Sequence, residues 1–440
     1  MKLVKSIILA CLFALSASSL NAQVVEVDSI EYAIEYAIQN NPTLETYKLQ
    51  AQITDLNYKL QKNTRFPTIT YNFSGQNTTS LAVTPVPGEL FGQPGETIET
   101  EFGQPFAFSS GITVQSDRLD WQNKLKTKLA ENEVSILEAE VDEFKQQLVQ
   151  QVSLYYYTAL IAKKAIEINE ENISVSDQII DLAELRLQEG LEDQFGVNQS
   201  KMNASNTLKT KLSNEALYEE CITQLKNLFG LPYSTELRLN EDLDYEWSHS
   251  VSSIDPVSNR RLVTLNRQIE GYELNFKVQR AAYYPSVTMT NYTGKQLNRD
   301  DFGLEIGKGT WADYNYTLVT ISFPLFTGFN RSNNVKIANR QLSLAKLDYE
   351  IELRNTELSD MLLLSDYNQG VETLEQSQTT YDLAKENQDI AFVRYEEGLI
   401  TLDQYLDAVE DRLQSENAYL NDLSILYSYY STIISRTEQQ

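Results

Sequence analysis

Between Arg118 and Glu189 the chain runs for 72 residues without a proline or a glycine. As one α-helix at about 1.5 Å per residue this run is roughly 105 Å long, several times the usual length of a helix in a globular domain. No compact core holds such a helix, so it needs neighbours along its length. Its apolar positions recur at seven, in one line through Val134, Val141, Leu148, Tyr155 and Ala162 and another through Ala130, Leu137 and Phe144. A second run, Arg331 to Glu397, is interrupted only by Gly370. It repeats the pattern with Val335, Leu342, Tyr349, Thr356 and Leu363 in one line and Ile337, Leu344, Ile351 and Leu358 in another. Positions two apart lie about 200° apart around a helix, so each long helix offers two seams to two different neighbours. A closed ring of helices suits this better than a two-stranded rod, although seven-residue repeats alone also fit an ordinary long coiled coil.

The two runs belong to an internal duplication. Each ends at a glycine turn, "LRLQEGLEDQFGVNQS" around Gly190 and "VRYEEGLITLDQYLDA" around Gly398. Each turn leads into a shorter return helix, expected over 198–229 and 402–436. A further short helix precedes each long one. The first spans about 28–61, with a capping box from Asp28 to Glu31 and a restart at Asn41-Pro42; the second spans about 258–282. In each half the two short helices, stacked end to end, match the long one in height. The expected repeats are 23–240, with its long helix over 118–189, and 241–440, with its long helix over 331–397. The first return turn reads as about three residues longer than the second, around Asp193 to Gly196.

Between the short and long helices lie strands. "RFPTITYNFSG" and "AYYPSVTMTNYTG" each place a proline, Pro67 or Pro285, after an aromatic residue at a helix end. Proline and its predecessor both disfavour continued helix, and alternation of apolar with hydroxyl side chains follows. Hairpins are expected over 67–117 and 285–326, with exposed loops from Thr84 to Pro105 and from Leu297 to Gly309, and a slip in the alternation near Val319. Strands of about ten residues with aromatics near their ends match transmembrane β-strands. Four strands alone would leave open edges that lipid does not tolerate, so several chains must share one barrel. A small soluble sheet is the alternative reading.

Residues 1–22 read as a signal peptide: Lys2 and Lys5, an apolar stretch from Ile7 to Leu15, and small Ala22 before the cleavage point. A lipidated Cys11 in "ILAC" is the competing reading. The mature chain then keeps one cysteine, Cys221, which excludes an intrachain disulfide framework. No later segment has the 18 or so consecutive apolar residues of a spanning helix, which leaves a β-barrel as the route into a membrane. The net charge of −26 argues against nucleic acid and against a basic amphipathic surface helix. Enzyme chemistry finds no support. His249, the only histidine, sits in a polar linker, the scattered carboxylates have no acid/base spacing, and no His/Cys metal cluster can be assembled. No cofactor is expected.

Four stretches in order, "AIQNNPTLETYKLQAQI", the aromatic-proline junctions, "ISFPLFTGFNR" and "RYEEGLITLDQYLDA", resemble the TolC-like outer-membrane efflux proteins over essentially the whole mature chain. The resemblance implies a mixed α/β membrane protein. In it a homotrimer builds a transmembrane β-barrel from four strands per chain, and the barrel continues into a long periplasmic α-helical barrel. It further implies outer-membrane lipid around the barrel, a periplasmic adaptor protein at the helical end, and an inner-membrane efflux pump or secretion ATPase beyond. The implied function is a passive exit duct. A non-channel periplasmic coiled-coil protein is the alternative.

The resemblance also assigns sites. The adaptor-docking tip falls on Arg186, Gly190, Leu191, Arg394, Gly398 and Leu399. The family often narrows its tunnel with rings of Asp on the second return helix. Asp407 matches the second such position, whereas Gln404 stands where the first is usual, with Asp403 beside it. Three Asp407 carboxylates around one axis would repel one another, a repulsion relieved by cations or protonation.

Overall fold

The computed structural model describes residues 24–241, 243, 251, 253–304 and 311–437; the expected signal peptide, Cys11 and His249 lie outside them. In chain order the first half holds β1 (Val24–Val27), α1 (Ile30–Asn40), α2 (Pro42–Asn63), β2 (Thr68–Asn77), β3 (Val83–Pro87), β4 (Thr97–Glu101), β5 (Phe106–Leu119), α3 (Trp121–Gln188), α4 (Gln194–Leu228) and β6 (Glu236–Leu239). The second half holds α5 (Arg260–Ala281), β7 (Ser286–Arg299), β8 (Ala312–Ser322), α6 (Asn330–Glu396) and α7 (Leu402–Thr437). These elements form two compact units, one comprising 51–137 with 265–348 and the other the remainder.

The smaller unit carries one antiparallel sheet in the order β2-β5-β7-β8. Its register separates two faces, because directly paired residues point the same way. Ile69 pairs with Val114, Tyr71 with Ile112, Met289 with Val319 and Val287 with Ile321 on an apolar face. The other face carries Thr70 with Thr113, Ser74 with Ser109, and Thr290 with Leu318. On that second face Tyr292 and Tyr316 stack at 5.5 Å. Tyr292 lies over Gly111, where a Cβ would come within 2.6 Å of its ring. The expected slip at Val319 is corrected: β8 pairs without interruption, and the irregularity sits in β5 between Asp117 and Leu119. The stretch expected as a plain loop from Thr84 folds into the β3–β4 hairpin. At the other expected loop β7 runs on to Arg299, with Leu297 buried.

The larger unit is helical, with a parallel β1–β6 ladder that pairs Val24 with Glu236 through Val27 with Leu239. Its core gathers α1, α3, α4, α6 and α7 around fully buried Val152, Tyr156, Leu225 and Leu426. Tyr157 stacks on Tyr427 at 4.2 Å, and Tyr156 donates to the Glu241 carboxylate at 2.5 Å. The N-cap of α1 is Ser29, whose hydroxyl accepts from Tyr32 N at 3.3 Å, rather than Asp28 as the capping box predicts. Asn41 ends α1 and starts α2 at once: its Oδ1 accepts from Thr43 N at 2.9 Å and Leu44 N at 3.3 Å. Its Nδ2 donates to the Leu228 carbonyl at the end of α4. Gly230 follows with φ +67°, packed so closely that a Cβ would lie 2.7 Å from the Asn40 carbonyl.

The two seams of α6 have different fates. Val335, Leu342, Tyr349 and Leu363 are half-buried and Thr356 is buried, so this line is used within the chain. Ile337, Leu344, Ile351 and Leu358 are each about half exposed. On α2, Leu49, Ile53, Leu56 and Leu60 form a second exposed apolar stripe at helical spacing.

Candidate functional site

Both glycine turns adopt one geometry. Gly190 has φ +74° and Gly398 φ +70°, the left-handed conformation that ends a helix and that glycine adopts without steric cost. Leu191 N donates to the Arg186 carbonyl at 2.8 Å, and Leu399 N donates to the Arg394 carbonyl at 2.8 Å. The return helices begin at Gln194 and Leu402, each four residues past its glycine. The expected extra residues in the first turn are therefore corrected. Asp193 caps α4 by accepting from Gly196 N at 2.9 Å, so residues that read as a loop are the first turn of the helix.

The second return helix opens differently. Thr401 Oγ1 accepts from Gln404 N at 3.4 Å while Gln404 Oε1 accepts from Thr401 N at 3.1 Å, a reciprocal capping box. Gln404 thus has a local task that turns its side chain back on the helix end. Asp403 and Asp407 stay exposed one helical turn apart, with Glu410 continuing the acidic stripe. The opposite face of α7 is buried: Leu402, Tyr405, Leu406 and Val409 pack with Ile179, Ala183, Val197 and Tyr395.

Arg186 ties the two turns together. Its Nη1 donates to the Tyr395 carbonyl at 2.6 Å, and its guanidinium lies 4.6 Å from the centre of the Tyr395 ring. That ring stacks on Tyr405 at 5.6 Å with planes 2° apart. Burial pushes the Tyr395 hydroxyl above its ordinary range against the pull of Arg186, and pushes Tyr405 up to about 12, so both stay neutral. Leu191, Leu399 and Arg394 are exposed around this clamp. At the other candidate positions, α2 ends four residues before Pro67 and α5 four residues before Pro285, and a strand begins directly after each proline.

The family model for outer membrane efflux proteins matches residues 33–231 and 257–428, both halves of the duplication. The chain belongs to this family. Among relatives of the efflux protein, the probable efflux pump outer membrane protein TtgC of Pseudomonas putida is 22% identical over 405 residues, 90% of this chain and 79% of the relative. The cation efflux system protein CusC of Escherichia coli O157:H7 is 21% identical over 77% of this chain and 70% of its own. Among solved structures, the open-state outer membrane channel MtrE of Neisseria gonorrhoeae superposes with a TM-score of 0.76 at 16% identity, covering 96% of this chain and 93% of that one. VceC of Vibrio cholerae gives 0.74 at 19% identity, over 92% and 95%.

An outer membrane efflux protein conducts rather than catalyses. This one is the outer-membrane exit duct of an efflux or secretion assembly, with its four-stranded sheet in the outer membrane and its long helices in the periplasm. Family membership sets aside the non-channel coiled coil and the small soluble sheet.

Sequence reasoning missed one cluster in the efflux protein. Arg412 donates to Asn172 Oδ1 and lies 3.8 Å from Glu416, while Asn172 Nδ2 donates to both Glu416 oxygens at 3.3 and 3.2 Å. Glu416 is 2% exposed, and burial raises its carboxyl above the ordinary range, opposed by Arg412 and Asn172. The heptad lines gave no signal for it, because Asn172 and Arg412 are 240 residues apart.

Proposed function

We propose that three copies of the chain close one twelve-stranded barrel and act as a passive duct. A periplasmic adaptor docks on the Gly190 and Gly398 turns, and an inner-membrane pump or secretion ATPase supplies the energy. The observation that carries this reading is the sheet itself: among the described residues β2 and β8 each have one unpaired edge. Open backbone edges in lipid cost several kcal/mol per unpaired group, and pairing β8 of one copy with β2 of the next removes every such edge. The exposed Ile337, Leu344, Ile351 and Leu358 line supports the same assembly, since it supplies a seam for a neighbouring helix.

At the tip, Asp403 and Asp407 face the axis and Arg186 holds the two turns in one arrangement. Arg394, Leu191 and Leu399 form the exposed docking rim. The efflux-pump and cation-efflux relatives support export of small solutes or cations as cargo. Planar-bilayer recording of the purified protein tests the proposal. Discrete single-channel steps are expected, and a protein that inserts no conductance contradicts the duct.

A further inference from the structure

The chain carries 36 basic against 62 acidic side chains, yet the balance reverses wherever a helix meets the sheet. Lys59, Lys62 and Arg65 close α2; Arg118, Lys124, Lys126 and Lys128 bracket the start of α3. Lys277 and Arg280 close α5, while Arg331, Lys336 and Arg340 open α6. The stretches 59–66, 118–128, 277–285 and 331–340 hold these twelve cations and one carboxylate, Asp120, with Asp55 and Asp117 just outside them. Of these twelve cations, all among the described residues, Lys59 is the one with an ion-pair partner, Asp55 at 2.6 Å. All four junctions lie in the smaller unit.

Helix stability does not ask for this arrangement. The first turns of α3 and α6 present the positive end of the helix dipole, where cations are disfavoured and carboxylates preferred. Lys124 and Arg331, in those first turns, thus work against local folding energetics, and an external anion accounts for them.

A second observation places that anion at a membrane surface. The same junctions expose aromatic rings: Phe66 and Trp121 in the first half of the chain, Tyr283, Tyr284, Phe323 and Phe326 in the second. Rings of this kind sit at headgroup depth around transmembrane barrels. The Lys124 ammonium lies 4.7 Å from the centre of the Trp121 ring, which puts a cation at the same depth as an interfacial indole. Beside it is a cleft of about 400 Å³ walled by Arg65, Arg118, Lys124 and Lys128, with Asp117 and Asp120 also lining it.

We infer that this basic collar seats the phosphates of anionic phospholipids in the leaflet on the helix side of the barrel, with the Arg65–Lys128 cleft as its main headgroup site. The inference rests on the reading of the sheet as a membrane barrel. Guanidinium groups match phosphate oxygens with paired hydrogen bonds, and the lysines add point charges that attract an anionic leaflet. The collar would anchor the duct at a fixed depth while its helices carry load from a pump.

The test is electron paramagnetic resonance on the full chain in phosphatidylcholine vesicles, comparing spin-labelled phosphatidylglycerol with spin-labelled phosphatidylcholine, and conductance recorded on the same vesicles. At low salt the wild type should hold phosphatidylglycerol about threefold more strongly, a preference that falls as salt rises. The triple variant Arg118→Gln, Lys124→Gln, Lys128→Gln should lose most of that preference, and Lys124→Arg with Lys128→Arg should keep it. Equal association in the wild type, or a preference unmoved in the triple variant, overturns the collar. So does displacement by millimolar inorganic phosphate, which would assign the cleft to free anion. Conductance without phosphatidylglycerol preference overturns the collar alone; absence of conductance removes the barrel reading and the collar with it.

Discussion

Arg186, two residues before the end of α3, donates to the main-chain carbonyl of Tyr395 and lies against the face of the Tyr395 ring, one residue before the end of α6. One side chain thereby satisfies a helix-end carbonyl on a different helix and closes the aromatic stack with Tyr405. The two glycine turns are a coupled pair through this contact.

Arg186→Ala should loosen both turns together. The loss of a charged hydrogen bond and a cation–π contact is worth about 2 kcal/mol locally. Faster amide exchange is expected at Leu191 and Leu399 alike, measured by hydrogen–deuterium exchange. Acceleration confined to the Arg186 turn would contradict the coupling. Arg186→Lys should restore little, because a lysine cannot reproduce the planar stacking.

The buried Glu416 gives a pH prediction. Its folded carboxyl is raised above the unfolded value by burial. Its contribution to stability is therefore fully present below the unfolded pKa, near 4.5, and is lost as pH rises through the folded value. Glu416→Gln removes this dependence. Thermal unfolding of the two proteins should show the wild type gaining stability relative to the variant as pH falls toward that of an ordinary glutamate. A difference that stays constant with pH would show that Glu416 does not titrate with folding.

Asp403 and Asp407 are exposed one turn apart on α7, away from its packed face. In an assembled duct, Asp407→Asn should weaken divalent-cation block of conductance by about tenfold if three carboxylates share one cation. Asp403→Asn should have a smaller effect. Gln404→Ala should leave block unchanged and cost about 1 kcal/mol of helix-end stability, because Gln404 is engaged with Thr401. Equal block in wild type and Asp407→Asn would place Asp407 away from the pore.

Much of the fold was legible because its signals are periodic and local. Heptad lines mark α3 and α6, prolines mark the entry into β2 and β7, and Gly190 and Gly398 mark the turns. What escaped depends on contacts distant in sequence or on ambiguous polar residues. The β1–β6 ladder joins Val24 to Glu236, and Asn41 bonds to Leu228; neither leaves a mark within a short window. Gln194 to Gly196 read as loop because glycine argues against helix, yet Asp193 caps them into α4. At the two glycine turns the residue types were readable, but the partnership of Arg186 with Tyr395, 209 positions apart, was not.

Two open edges of the four-stranded sheet among the described residues and an exposed apolar seam on α6 are the surfaces that the proposed trimer covers. Native mass spectrometry of the detergent-solubilised protein tests it most directly. A mass of three chains is expected for the wild type. Leu344→Asp with Ile351→Asp, in the exposed seam, should shift it toward one chain with helical content unchanged by circular dichroism. A wild-type protein that is folded, inserted in detergent and monomeric would contradict the trimer.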